Sequence, residues 1–160
     1  MAELDMANSI LEYFQRFGDP NRKTPYRIKI LDSKNYKCFL MIWPLRSKTP
    51  MHDHNGVTVT IDVLTGVLRR EVQKNPIGEP REFSSYFEGD SIKESDGHLP
   101  HIVINAGADW AVSLHTFRIV DPGKYKMNVY EDEGEGKLVD GDDDIILPKF
   151  KIPLPKKRRK

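Results

Sequence analysis

Thr49-Pro50-Met51-His52-Asp53-His54-Asn55-Gly56 is the stretch on which the reading of this chain turns. Two of the chain's 5 histidines stand here one residue apart, following an apolar run that ends in Trp43. In an extended segment, residues i and i+2 leave from the same face, so His52 and His54 aim two imidazoles at one spot. That is the geometry a transition metal requires. Taken alone, a His-x-His is more simply an exposed pair in a polar loop. Asn55-Gly56 signals a tight turn or bulge. Beyond it Val57, Val59, Ile61 and Val63 alternate with Thr58, Thr60 and Asp62, as in a strand with one buried face. The even-numbered histidines and the odd-numbered apolar residues share one interior only if the turn shifts the parity.

Working outward, the same texture continues in both directions. Pro25–Leu31 alternates, Asp32–Asn35 is turn material, and Cys38–Trp43 is an apolar strand. Gly66 breaks the strand that follows the histidines, and Val67–Gln73 resumes as another. Residues 74–80 are a Pro/Gly loop, and Glu82–Glu88 and Asp90–Lys93 read as short strands. Ile102–Asn105, Trp110–Val120 and 124–130 complete the series. Ahead of them, Leu4, Met6, Ile10, Leu11, Phe14 and Phe17 recur at helical spacing until Gly18-Asp19-Pro20. Many short strands behind one helix indicate an all-β fold, a small barrel or sandwich. The expected organisation is a helix over 1–20, a barrel over 21–130 and a tail over 131–160.

Composition narrows the class. At 160 residues, 38% hydrophobic and 31% charged, the chain fits one soluble domain. No stretch is long and apolar enough to span a membrane, and the acidic start at Glu3 and Asp5 is unlike a secretory signal. The 1 cysteine, Cys38, excludes an internal disulfide framework and fits a reducing, cytoplasmic setting. Glu131–Asp144 reads as a solvated acidic loop. Lys156–Lys160 is a basic cluster, more simply solvated than a nuclear-import or nucleic-acid signal.

The metal reading needs a third ligand. His101 opens the strand ending at Asn105, and barrels bring such a distant residue alongside a close pair. His98, before the strand, is the rival. Three neutral imidazoles suit Fe, Zn, Cu or Ni and leave positions open for chemistry. His115 lies mid-strand with Ser113 and Phe117 on the same face, so one of its ring nitrogens is within reach of Ser113. By itself His115 is more simply a satisfied core histidine.

These residues resemble a known pattern. The cupin superfamily carries a first motif of His-x-His, glutamate and glycine, and a second of His and Asn. Here His52-Asp53-His54, Gly66, His101 and Asn105 occupy those places, while Val59 stands where the glutamate is usual. The resemblance therefore implies a cupin-type jelly-roll barrel, and a ligand set of three histidines is that of its thiol dioxygenase branch. The likeness to cysteine dioxygenases is closer and runs from about Arg27 to Met127. It rests on Leu40-Met41-Ile42-Trp43, on the eight residues between Trp43 and His52, and on Ala111-Val112-Ser113-Leu114-His115. It implies Fe(II) held by His52, His54 and His101, with both atoms of O2 added to a small thiol, L-cysteine first, to give a sulfinate. Arg27 would bind the substrate carboxylate, Ser113 and His115 would form part of a relay, and Trp43, Phe117 and Met127 would line the pocket.

Two positions depart from that family. The animal enzymes carry a tyrosine and a cysteine able to crosslink where this chain has Phe117 and Val59. No crosslink can form, and no phenol stands beside the site. The alternatives are a dioxygenase of 3-mercaptopropionate or another small thiol, and a catalytically weak metal-binding cupin with a sensing role. Beyond O2 and a small thiol no partner is expected: no membrane, no nucleic acid, and a monomeric state.

Overall fold

The apolar run ending at Trp43 lacks polar alternation because both of its faces are covered. In the computed structural model, which describes residues 2–73, 81–94, 97–130 and 136–140, the elements run α1 (Ala2–Phe17), β1 (Tyr26–Asp32), β2 (Tyr36–Trp43), β3 (Met51–Asn55), β4 (Val57–Thr65), β5 (Val67–Val72), β6 (Glu82–Phe87), β7 (Ser91–Glu94), β8 (His101–Asn105), β9 (Ala111–Ile119), β10 (Lys126–Tyr130) and β11 (Gly136–Asp140). They form a 5-stranded sheet, β1-β2-β9-β4-β7, and a 6-stranded sheet, β11-β10-β3-β8-β5-β6, with every pairing antiparallel. The architecture is a small two-sheet antiparallel jelly roll with one helix in front.

The core divides by strand parity. On β2, Phe39, Met41 and Trp43 point inward with Val59, Ile61 and Val63 of β4, Leu68 of β5, Val103 of β8 and Phe117 of β9. Leu40 and Ile42 point outward, where Ala7 and Phe14 of α1 cover them together with Tyr26, Trp110 and Val112. A strand buried on both faces reads as a continuous apolar run, and β2 is buried from Cys38 to Trp43. The helix closes the outer face of the first sheet through Ala7, Phe14 and the partly buried Ile10 and Leu11, while Met6 and Phe17 of the expected stripe are exposed.

Gly56 supplies the parity shift. Its φ of 72° lies in the left-handed region, and a Cβ there would come within 2.6 Å of Asp121 O and Lys124 C. With glycine at the corner, His52 and His54 are buried, and so are Val59, Ile61 and Val63. Asp53 faces the other side of β3 and fastens it to β10. It accepts from Asn128 N at 3.2 Å, from Asn128 Nδ2 at 3.0 Å and from the Tyr130 hydroxyl at 2.6 Å.

One expectation is corrected. Within the segment read as a solvated acidic loop, Gly136–Asp140 forms β11, paired with β10 from Lys126↔Asp140 to Tyr130↔Gly136. The backbone of β10 offers an open edge, and pairing with it overrides the weak strand propensity of an acidic, Gly-rich segment. The 74–80 loop, the apolar 145–154 stretch and the basic cluster Lys156–Lys160 lie outside the described residues. Among the described residues no helix is long and apolar enough to cross a membrane.

Candidate metal centre

Strand register brings the distant histidine to the pair. His52 on β3 stands directly opposite His101 on β8, and His54 is two residues along the same face. One ligand nitrogen from each of His52, His54 and His101 lies within 4.8 Å of the others. The ring centroids are 4.5, 4.8 and 5.2 Å apart. All three side chains are buried. His98, the rival, is exposed and takes no part.

The protonation of these rings suits a metal. His52 Nδ1 lies 2.8 Å from Pro50 O, and His101 Nδ1 lies 2.8 Å from Leu99 O. A carbonyl only accepts, so each Nδ1 carries a proton, and Nε2 is the ring nitrogen left to face a metal. Burial, then the neighbouring His101, pushes the pKa of His52 down to about 3. Burial followed by His52, His101, His115 and Arg70 holds His54 well below the ordinary imidazole value. His54 Nδ1 is buried and has no hydrogen-bond partner. A buried polar atom left without a partner is costly. The donor set fits a divalent transition metal.

A second chain of hydrogen bonds approaches from the opposite sheet. Trp43 Nε1 donates to Ser113 Oγ at 2.8 Å, and Ser113 Oγ lies 2.8 Å from His115 Nε2. The indole can only donate, so the hydroxyl accepts from it and passes its own hydrogen to Nε2. His115 is then the Nδ1–H tautomer. Burial, then the charges of His52 and Arg27, lowers its pKa to about 3, which keeps the ring neutral.

His115, Arg27, Phe117 and Met127 line one narrow cavity with the three metal-site histidines. Its volume for water-sized molecules is about 40 Å3, room for about three waters. The Arg27 guanidinium lies 4.3 Å from the centroid of Phe39. Phe117 packs edge-on against His54 at 5.5 Å and against Phe39 at 5.3 Å. Trp43 and Ser113 do not line the cavity. Trp43 is 0% exposed and stands behind the pocket wall, stacked on His115 at 6.3 Å and bonded to Ser113, rather than on the wall as expected.

Sequence reasoning missed Glu94. It ends β7 directly opposite Val59, the position where the cupin motif would hold its own glutamate. Its side chain is 2% exposed and lines the same cavity. Glu94 Oε1 accepts from Arg70 Nε at 3.1 Å and lies 3.7 Å from His101 Nε2. A site that looks carboxylate-free in the sequence has a buried carboxylate on its wall.

No family model matches the sequence. Solved structures do resemble the fold. A conserved protein with a double-stranded β-helix domain from Klebsiella pneumoniae aligns with a TM-score of 0.57 at 14% identity, over 74% of this chain and 94% of its own. An RmlC-like cupin family protein from Methanocaldococcus jannaschii gives 0.51 at 13% identity, over 64% and 86%. An oxalate oxidase gives 0.55 at 15% identity, over 71% and 58%. At these identities the likeness establishes the cupin, double-stranded β-helix fold and leaves the reaction to the site.

Proposed function

We propose that this chain is a metal-dependent cupin oxygenase, with Fe(II) as its metal, that adds dioxygen to a small thiol carboxylate, L-cysteine in the first instance. The observation that carries this reading is one cavity lined by three clustered imidazoles, a guanidinium and His115, with the Ser113–Trp43 bond behind His115.

The reaction is R–SH + O2 → R–SO2H. The sulfur gives up four electrons, dioxygen accepts them, the O–O bond breaks and two S–O bonds form. His52, His54 and His101 would hold the metal, which when bound supplies a Lewis-acidic centre where thiolate and dioxygen meet. The remaining roles belong to the chain. Arg27, planar and permanently charged, would take the substrate carboxylate by paired hydrogen bonds. The Nδ1–H of His115 would donate to an oxygen or sulfur in the cavity, its ring fixed by Ser113. Phe117, Phe39 and Met127 give the cavity an apolar wall.

The test is anaerobic loading of the full chain with Fe(II), followed by oxygen uptake with a panel of thiols. The expected result is one iron per chain, uptake with a thiol carboxylate, and a raised KM for that thiol in Arg27→Gln. Iron binding without uptake for any thiol would end the dioxygenase reading and leave a metal-binding cupin.

A further inference from the structure

We propose that Glu94 is a fourth, anionic ligand of the metal centre, delivered from β7 in place of the glutamate that β4 lacks, and held in position by Arg70. The inference rests on the metal-centre part of the proposed function but not on its thiol chemistry.

Register comes first. Val59 and Glu94 are directly paired, so their side chains leave neighbouring strands on the same face, with Cβ atoms about 5 Å apart. Val59 is an inward position, and Glu94 is therefore inward too. A glutamate here starts one strand away from the usual starting point and reaches the same cavity.

Distance and chemistry come next. His101 gives its Nδ1 proton to Leu99 O, so Nε2 is the ring nitrogen left for a further partner. Glu94 Oε1 faces that nitrogen at 3.7 Å, an ion-pair separation when the ring is protonated. A metal ion between the two would take the place of that proton. Two ligands each about 2.1 Å from a shared ion stand about 3.0–3.5 Å apart. The separation from His101 is close to that condition, while Glu94 stands outside the set of ligand atoms that lie within 4.8 Å of one another.

Charge is the last element. Arg70 is buried and pairs with Glu94. Glu94 accepts from Arg70 Nε, so the carboxylate both cancels the guanidinium and attracts a divalent ion. Three imidazoles and this carboxylate would together hold the metal with one negative charge among its ligands.

The experiment is Co(II) titration of the chelator-stripped full chain, read by competition with a metal-binding dye and by the visible ligand-field spectrum. The proteins are wild type, Glu94→Gln, Arg70→Met/Glu94→Gln and His101→Ala. Glu94→Gln is expected to weaken cobalt binding about 100-fold, the upper end for groups that support a metal site, and to change the spectrum. Glu94→Gln alone leaves Arg70 charged and buried, so folding and repulsion both intrude. The double variant removes that charge, and it is expected to remain weak with an altered spectrum. Wild-type affinity and spectrum in the double variant overturn the assignment. Absence of cobalt binding in wild type, or undiminished binding in His101→Ala, sinks the metal-centre reading itself, a result distinguishable from the loss of Glu94 alone.

Discussion

Acidifying the metal-free protein tests the interior electrostatics directly. His52, His54 and His115 are buried and neutral, with pKa values of about 3 for His52 and His115 and well below the ordinary value for His54. In the unfolded chain each returns to about 6.5. Between those limits the unfolded state binds protons that the folded state refuses. Stability is therefore full above the unfolded value and is lost as pH falls toward the folded one. From pH 7.5 to 5.5 each imidazole costs about 1.4 kcal/mol, and the three together cost about 4 kcal/mol. That is a large part of the roughly 5–15 kcal/mol that holds a domain folded. Carboxylates protonate mainly below about pH 5, so this window isolates the histidines. The assay is urea unfolding of chelator-stripped protein at half-unit steps, for wild type and His115→Gln. The variant should lose about 1.4 kcal/mol less over the same window. A wild-type loss below about 1.5 kcal/mol, or an identical slope in His115→Gln, would refute the reasoning.

The remaining predictions concern packing and the cavity wall. Gly56→Ala places a Cβ 2.6 Å from Asp121 O at a φ of 72°, and should cost about 2–4 kcal/mol in urea unfolding from strain and crowding. Trp43→Phe removes the fully buried bond to Ser113. It should cost about 1–3 kcal/mol and lower turnover while leaving metal stoichiometry intact. Phe117→Tyr puts a phenol between His54 and Phe39 and should raise oxygen uptake at unchanged iron content, measured with an oxygen electrode.

Much of the fold was legible because its signals are local. The alternation in β4, the two-sided burial of β2 and the helical stripe of α1 each appear within a few residues. His101 was legible because a strand start after Gly-His-Leu-Pro is a natural place for a distant ligand. Ser113 and His115 followed from their i, i+2 spacing. Glu94 could not be found that way. It is one of 24 acidic residues, it closes a strand whose sequence reading stopped at Lys93, and only cross-strand register carries it inward. The role of Trp43 was misplaced for a similar reason. It pairs with Ala111, and its indole reaches Ser113 along the diagonal, a contact set by side-chain length rather than by strand order. β11 was hidden because an acidic, glycine-rich composition resembles solvated loop, and the edge that recruits it belongs to β10.

Val59 has Glu94 beside it on β7 and Phe117 beside it on β9, so one rung of the sheet crosses three strands and carries an acid, an aliphatic and an aromatic residue into the same small space. A rung of this kind works as an exchangeable panel. Substitutions at its three positions can move a carboxylate or a phenol around the wall of the cavity while the histidines on the facing sheet stay in register. For a lineage, or for a protein engineer, that separates the problem of keeping the metal from the problem of choosing its reaction.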